Sequence, residues 1–415
     1  MWSCEPVALI AGVIEGFYGP PWSPADRLAT IDLLATHGGN WYVWAPKAAP
    51  RHRDAWREPF TPDEIGEFGE LARRQGGVHV SVGLTPGPDA TTDEVIAKLR
   101  PVVQAGVQGL TLCFDDVPEL DAASRHRDLA NTVRRTFGVP VWLVPTHYAG
   151  GVSSPYLERL IDGLDHEVLV MWTGSHVVCD TITVNDVNAR RNATGDRAPL
   201  IWDNTPVNDA LMTEALHLGP YSGRDATIRS SIAGVLVNPM EFARASWPTI
   251  VSALAWCRGD DAVQAWDLEI DRLGIRRLAE ATAFPDDEHW PGARPERAWW
   301  SDVAALDTEA ITESVGEGVR RWVDAARDGA ALALRALDLT ELDVSERRAL
   351  AQFGLALAAR EWERRPALTF GGGPRIRPVA ANDEAGRFVM DPRSVSWSTS
   401  LVADLVRRAL AQSAS

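Results

Sequence analysis

The sequence predicts an α/β fold, a (β/α)8 TIM barrel over residues 1–257 followed by a smaller helical C-terminal domain over residues 258–415. Three observations carry this prediction: eight short apolar runs at fairly even spacing, helical segments between them, and a change of composition after Cys257. A doubly wound open sheet is the alternative, but the chain lacks the GxGxxG and GxxxxGK[ST] phosphate-binding patterns. The apolar runs end near Ile14, Trp44, Leu84, Phe114, Val144, Trp172, Trp202 and Val237.

The helices between the runs have recognisable boundaries. Ser23-Pro24 begins the first, with proline at its first position, and Gly38-Gly39 ends it. The second and third begin with threonine followed by glutamate three residues later, at Thr61 and Thr91, which is the capping-box pattern. Ser154-Pro155 begins a later helix. Leu200-Ile201-Trp202 is the least convincing of the predicted strands.

The C-terminal part differs in composition. Residues 258–365 are rich in Ala, Leu, Arg, Glu and Asp, which is typical of a helical bundle. Residues 366–395 carry glycine and proline, including Gly371-Gly372-Gly373, and are expected to be irregular. A last amphipathic helix is expected over residues 398–412. We interpret this region as a scaffold and as the candidate interface of a homodimer.

The net charge is −16, which argues against nucleic acid or an anionic membrane surface as partners. No N-terminal signal and no apolar run long enough to span a bilayer are visible, so we expect a cytoplasmic protein. The four cysteines are widely spaced and the nine histidines form no metal-binding pattern, so neither a metal site nor another cofactor is expected. Lys47, one of only two lysines in this arginine-rich chain, follows a predicted strand.

Two adjacent acids, Asp115 and Asp116, follow the fourth apolar run, Leu110-Thr111-Leu112-Cys113-Phe114. Neighbouring carboxylates repel each other, so one is easily kept protonated while the other stays charged. Such a pair suits acid–base chemistry on a glycosidic or related bond. The alternative is structural, with one acid at the start of a helix and the other in solvent.

Polar and aromatic residues follow the other predicted strands too. In a barrel all these strand ends meet at one rim, where carboxylates, amides and flat rings suit a sugar. Asn238-Pro239 is also a good helix start, so capping is an alternative role for Asn238. The strand-end segments are Glu15-Gly16-Phe17-Tyr18-Gly19, Ala45-Pro46-Lys47, Thr85-Pro86-Gly87, Asp115-Asp116, Pro145-Thr146-His147-Tyr148, Trp172-Thr173-Gly174, Trp202-Asp203-Asn204 with Asn208-Asp209, and Asn238-Pro239.

Several of these segments together resemble glycoside hydrolase family 84, the O-GlcNAcases and related β-N-acetylglucosaminidases once labelled hyaluronidases. The resemblance covers about residues 10–256. Its motifs are Glu15-Gly16-Phe17-Tyr18-Gly19-Pro20-Pro21-Trp22, Tyr42-Val43-Trp44-Ala45-Pro46-Lys47, Phe114-Asp115-Asp116, Trp202-Asp203-Asn204, Leu218-Gly219-Pro220-Tyr221 and Asn238-Pro239. The chain departs from the family pattern at His147, where glutamate is frequent, and at Ala149, where cysteine is frequent.

The resemblance implies a retaining hydrolase of terminal β-linked GlcNAc, on glycans or on Ser and Thr of proteins. The substrate's own acetamido oxygen would attack C1 and form an oxazoline. Asp115 would orient the acetamido N–H and Asp116 would serve as general acid and base. The implied substrate-binding residues are Gly16, Tyr18, Lys47, Tyr148, Trp202, Asn204, Asp209 and Asn238.

Two other functions stay open at this level. One is a retaining glycosidase with a protein carboxylate, such as Asp209, as covalent nucleophile. The other is a glycan-binding barrel without catalysis, which would keep the aromatic residues but would not need both acids.

Overall fold

The computed structural model describes residues 9–115, 122–282, 295–341, 346–382, 388–391 and 394–412. Eight parallel strands close into a barrel in sequence order, with β1 paired to both β2 and β8. This confirms the predicted fold class. The strands are β1 Ile10–Glu15, β2 Trp41–Trp44, β3 His79–Leu84, β4 Gly109–Cys113, β5 Val141–Val144, β6 Leu169–Trp172, β7 Leu200–Asp203 and β8 Gly234–Val237.

The barrel helices begin where the capping residues predict. The side chain of Ser23 accepts a hydrogen bond from the Asp26 N–H, and Thr61 and Thr91 form complete capping boxes with Glu64 and Glu94. The barrel helices are α1 Pro24–Thr36, α2 Pro62–Arg73, α3 Thr92–Gln104, α4 Ala123–Phe137, α5 Pro155–Ile161, α6 Val184–Ala193 and α7 Ala243–Arg258.

The barrel strands are buried on both faces, as parallel strands wrapped by helices are. Small and large side chains from neighbouring strands fill the interior, among them Ile14, Val43, Cys113 and Trp142. The loops that follow the strands therefore all lie at one end of a filled barrel. This is the end where a cavity can form.

The C-terminal region packs its helices around a second apolar core. The long helix α12 lies at its centre and buries Trp322, while Leu216 and Leu218 reach this core from the loop after β7. The barrel and the helices therefore share buried surface. The helices are α8 Ala262–Arg272, α9 Arg276–Thr282, α10 Arg297–Ala304, α11 Thr308–Val315, α12 Arg320–Glu341, α13 Glu346–Trp362 and α14 Leu401–Gln412.

Residues 366–395 were expected to be irregular, and this expectation is wrong. Two antiparallel strand pairs form there: β9 Gly373–Ile376 pairs with β12 Val395–Ser398, and β10 Ala380–Asn382 pairs with β11 Phe388–Met390. Each strand is only three or four residues long. In the sequence, β10 and β11 lie between β9 and its partner β12. Such short strands carry almost no alternation pattern, so sequence periodicity does not reveal them.

None of the helices in the described part of the chain is both long enough and apolar enough to cross a bilayer.

Candidate active site

A cavity of about 260 Å³ opens at the carboxyl ends of the barrel strands. It brings together all the sequence-predicted site residues that the structure describes, although they come from six different strand ends. Asp116 lies outside the described residues. The predicted residues that line the cavity are Gly16, Tyr18, Lys47, Asp115, Tyr148, Trp202, Asn204, Asp209 and Asn238.

The charged centre of the cavity is the ion pair between Lys47 and Asp115. The Lys47 Nζ donates to Asp115 Oδ2, and the two residues are 6% and 7% exposed. The other carboxylate oxygen, Oδ1, is buried and has no hydrogen-bond partner in the structure. One oxygen of Asp115 is thus held by an ammonium while the other is left for a donor on a ligand.

The same ammonium lies 5.3 Å from the centre of the Trp202 ring, so the aromatic face also contacts a cation. Trp202 is 4% exposed and packs against Gly16. A Cβ atom at Gly16 would lie 2.2 Å from the indole, which is closer than side chains ever approach. Glycine is required at this position because the indole occupies the space of a side chain.

The two asparagines join the strand ends β1, β7 and β8. Asn238 Oδ1 accepts from the Gly16 N–H at 3.2 Å, and its Nδ2 donates to Asn204 Oδ1 at 2.9 Å. Asn204 Oδ1 also accepts from the Trp202 indole N–H at 3.0 Å, and its Nδ2 donates to the Val177 carbonyl at 2.7 Å. An amide oxygen has two lone pairs and an amide nitrogen two hydrogens. Asn204 therefore keeps one N–H, and no acceptor, for a ligand.

Asp209 and Tyr18 connect the loops after β7 and β1. The Tyr18 backbone N–H donates to Asp209 Oδ2 at 2.6 Å. The Tyr18 ring is 41% exposed, and its hydroxyl accepts from Arg53 Nη1 at 2.7 Å. Tyr148 lies half-buried at the end of β5. These side chains form the more open part of the cavity.

Two other strand-end carboxylates are buried beside the cavity. Glu15 accepts from Arg27 Nε and Nη2, from the Trp22 N–H and from the Tyr42 hydroxyl. Burial and the Glu15 charge raise the pKa of Tyr42 above its ordinary value. With four donors on two oxygens, Glu15 has no capacity for a substrate.

Asp203 is occupied in the same way. It is 1% exposed and accepts from Arg224 Nε at 2.8 Å, from Arg224 Nη2, and from the Tyr221 hydroxyl at 2.8 Å. Asp203 lies between Trp202 and Asn204 in the chain. Its ion pair fixes the backbone from which both cavity residues project.

The helix-cap alternative for Asn238 can be compared with the structure, and so can the surroundings of Cys113 and His147. Asn238 is no helix cap, because α7 begins at Ala243. Burial, followed by the Asp115 charge, raises the pKa of the Cys113 thiol to about 12, so Cys113 stays a neutral packing residue. His147 contacts Ser154 Oγ at 2.8 Å through Nδ1 and does not line the cavity; burial lowers its pKa.

One wall of the cavity was not predicted as part of the site. It is apolar, and two of its residues come from the C-terminal region, which the sequence placed in a scaffold. Valines after a strand and a proline in an irregular segment carry no sequence signal for a binding site. The residues of this wall are Val177, Val178, Val207, Ala210, Met212, Pro378 and Val379.

The described residues hold no group of three or more His, Cys, Asp or Glu side chains arranged to bind a metal ion. The chemistry that this cavity offers is therefore carboxylate, ammonium, amide and phenol chemistry next to an indole face. Such groups, which include a few charged side chains of the protein, bind neutral polyols such as sugars.

A family model described as beta-N-acetylglucosaminidase matches residues 11–284. The chain is 31% identical over 281 residues to the protein O-GlcNAcase of Rattus norvegicus and to that of Mus musculus. Each alignment covers 60% of this chain and 30% of the relative, so the chain spans less than a third of these relatives' length.

Solved structures with the same fold include CpGH84B, with a TM-score of 0.75 at 22% identity over 87% of this chain and 74% of that one. A mutant of the Thermobaculum terrenum O-GlcNAc hydrolase also has a TM-score of 0.75, at 21% identity over 97% of this chain and 93% of its own. The second likeness extends through the C-terminal helices. At these identities the likeness concerns the fold.

Proposed function

The chain belongs to the β-N-acetylglucosaminidase family, the glycoside hydrolases that its strand-end motifs resemble, and on that premise we propose that it is a retaining exo-β-N-acetylglucosaminidase that uses the acetamido group of its substrate as nucleophile. The observation that carries the proposal is the Asp115 carboxylate, buried at the end of β4 with one oxygen on Lys47 and the other without a partner. An acetamido N–H is the kind of donor that this oxygen lacks.

In the first proposed step the acetamido oxygen attacks C1 while the bond from C1 to the leaving oxygen breaks. Asp115 accepts a hydrogen bond from the acetamido N–H and stabilises the positive charge that develops on the forming oxazoline. Lys47 fixes the orientation of Asp115 through its contact with Oδ2.

Asp116 is proposed as the acid–base residue. It gives its proton to the leaving oxygen in the first step and takes a proton from water in the second, as water attacks C1 and the acetamido group re-forms. Its position next to Asp115 in the sequence is the basis for this role. Two attacks on C1 from opposite faces leave the β configuration unchanged.

The remaining cavity residues are proposed to hold the sugar. Tyr148 would donate to the acetamido group, and the Trp202 indole, fixed by Gly16, would enclose its methyl. Asn204 has one N–H left and Asn238 likewise, so each would donate to a hydroxyl oxygen. Asp209, with Tyr18 beside it, would accept from a hydroxyl.

The covalent alternative requires a protein carboxylate that can reach C1. Asp115 and Asp209 are the carboxylates that line the cavity among the described residues, and Asp209 Oδ2 is already bound to the Tyr18 N–H. Asp209 therefore fits a binding role better than that of a nucleophile.

We propose GlcNAc linked to serine or threonine of proteins as the substrate. The support is similarity to two mammalian proteins named O-GlcNAcase, over 60% of this chain. GlcNAc on glycans is the other source of the same terminal sugar.

The test is hydrolysis of aryl N-acetyl-β-glucosaminides, with GalNAc and glucose glycosides as controls. In the Asp116→Ala variant, activity should fall by orders of magnitude for poor leaving groups, with partial recovery for aryl leaving groups of low pKa. An equal loss for every leaving group would reject Asp116 as the acid. A thiazoline mimic of the oxazoline should inhibit the enzyme competitively. Labelling of the protein by a 2-fluoro sugar would instead establish a protein nucleophile.

A homodimer is also proposed, with a second copy of this chain on helix α13. Leu350, Phe353 and Leu357 lie at helical spacing on this helix and are 76%, 73% and 51% exposed. Such a patch is self-complementary about a two-fold axis. Sedimentation of the enzyme and of a Phe353→Glu variant tests this, since a mass of one chain for both would reject it.

We also propose a cytoplasmic location without nucleic-acid or membrane partners. Its support is the acidic charge of −16 and the three unpaired cysteines, Cys113, Cys179 and Cys257. Fractionation of the source cells with an antibody tests it.

A further inference from the structure

The apolar wall of the cavity is built by two segments that lie far apart in the chain. Val177 and Val178 belong to the loop after β6, whereas Pro378 and Val379 follow β9 in the C-terminal region. We name residues 376–379 the strap, because they lie across the barrel loop. Ile376 packs against the barrel core, and Pro378 is buried.

The strap is held on both sides. Toward the barrel, the Val178 N–H donates to the Pro378 carbonyl at 3.1 Å, and Arg377 forms an ion pair with Asp180. Toward the C-terminal region, the N–H groups of Arg377 and Val379 donate to Ser394, at 2.7 Å to its carbonyl and 3.0 Å to its hydroxyl. Hydrogen bonds and an ion pair within the protein therefore fix the position of the strap.

The strap is also connected to the proposed sugar-binding residues. Asn204 donates to the Val177 carbonyl, so one hydrogen-bond path runs from Asn204 through the Val177–Val178 loop to Pro378. Polar groups that can satisfy sugar hydroxyls lie on the strand ends. The wall of valines and proline presents no polar side chains.

A terminal sugar buried among Asp115, Lys47 and the asparagines must leave its C1 substituent outside, toward the cavity mouth. The strap comes from beyond the barrel and bonds to a strand-end loop, so it lies at the carboxyl end of the barrel, where the cavity opens. A flat apolar wall at this place fits an uncharged stretch of chain better than a second sugar, whose hydroxyls would lack partners.

We infer that Pro378 and Val379, with Val177 and Val178, form the contact surface for the polypeptide that flanks the glycosylated serine or threonine, and that this surface selects against charged flanking residues. The inference rests on the proposed function and deepens it by naming a specificity-determining segment. It does not involve the residues assigned to chemistry.

The experiment compares three substrates: a small aryl N-acetyl-β-glucosaminide and two GlcNAc-peptides that carry either aspartate or lysine beside the modified serine. Wild-type, Val379→Asp and Val379→Lys enzymes are assayed on each. Val379→Asp should lower kcat/KM for the acidic peptide by about tenfold relative to the basic one, and Val379→Lys should reverse this preference. The readout is the ratio of kcat/KM between the two peptides, because a change that affects every substrate equally cancels in this ratio.

The matched controls are Val263→Asp and Val263→Lys on helix α8, where the valine is 54% exposed and does not line the cavity. These should leave the ratio between the two peptides unchanged. Binding of a GlcNAc-thiazoline, which has no aglycone, measures how far each Val379 variant changes the sugar site itself.

The outcomes separate the two proposals. If wild-type enzyme cleaves the aryl glycoside but the Val379 variants show no reversal between peptides, the strap inference is wrong and the proposed function stands. If the Val263 variants shift the ratio equally, long-range charge rather than contact explains it, and the inference is again overturned. If wild-type enzyme cleaves no GlcNAc glycoside, the proposed function fails, and this inference fails with it.

Discussion

Three barrel strands end in a buried carboxylate, but the surroundings of these carboxylates differ. At the ends of β1 and β7, Glu15 and Asp203 each meet an arginine and a tyrosine that occupy both carboxylate oxygens. At the end of β4, Asp115 meets one lysine and keeps one oxygen without a partner. The difference lies in how many donors the protein supplies to each acid.

This difference separates positioning from chemistry. A buried carboxylate saturated by arginine and tyrosine is rigid and has nothing left to offer a substrate. A buried carboxylate oxygen that lacks a donor from the protein can accept a hydrogen bond from a ligand. Glu15 and Asp203 therefore hold Gly16, Trp202 and Asn204 in place, while Asp115 lines the cavity.

The largest effect is expected for Asp115→Asn. The amide keeps the shape of the side chain but loses the charge that stabilises the developing oxazoline, so kcat for GlcNAc glycosides should fall by on the order of 100- to 1,000-fold. Steady-state kinetics on an aryl glycoside measures this. The urea midpoint should fall as well, because the buried Lys47 ammonium loses the charge of its ion-pair partner. If kcat stays within tenfold of wild type, Asp115 is no more important for catalysis than a positioning carboxylate such as Asp203.

For Asp203→Asn the loss should lie chiefly in stability, because this carboxylate does not line the cavity. Removal of this charge leaves the Arg224 guanidinium buried without its ion-pair partner, which should cost about 3 kcal/mol of unfolding free energy. Urea unfolding measures the loss. A double variant with Arg224→Met should lose less than Asp203→Asn alone, because the uncompensated charge is gone. A single variant as stable as wild type would show that Arg224 finds other partners.

The sequence predicted the barrel closely. The observed strands end at the predicted residue or one residue away, including the least convincing strand, β7. Eight buried runs with capped helices between them leave few other topologies. The strand-end residues then converge because parallel strands in a closed barrel all point the same way. Every predicted site residue that the structure describes lies in one cavity for this reason.

The parts that sequence did not predict depend on contacts between distant segments. Glu15, Asp115 and Asp203 look alike in the sequence, and only Arg27, Lys47 and Arg224 distinguish them. The strap, which contains Pro378 and Val379, follows the four-residue strand β9, which pairs with β12. Neither hydrophobic periodicity nor turn residues in the sequence predict it.

A smaller effect is expected for Gly16→Ala. The added methyl would meet the Trp202 indole at 2.2 Å, so the ring must move, at a cost of about 1–3 kcal/mol. Because Trp202 lines the cavity, the affinity for a GlcNAc-thiazoline should fall together with stability. Gly66→Ala, on helix α2 where nothing lies within 4 Å of the new methyl, is the matched control; it should leave the thiazoline affinity unchanged and raise stability by about 1 kcal/mol, because alanine favours a helix interior over glycine. Equal results for the two variants would show that Trp202 has room to shift.

The smallest effect is expected for Lys47→Arg, which keeps the charge beside Asp115 but changes its shape. The ammonium is a compact donor at a position only 6% exposed, whereas a guanidinium is planar and larger. Asp115 should then turn away from its present orientation, so kcat should fall by about tenfold. Lys47→Met removes the ammonium and should lower kcat further, because Asp115 Oδ2 loses this donor altogether. If the arginine and methionine variants behave alike, the shape of the lysine rather than its charge sets the orientation of Asp115. The difference between Asp115 and the arginine-bound Glu15 and Asp203 would then be one of geometry alone.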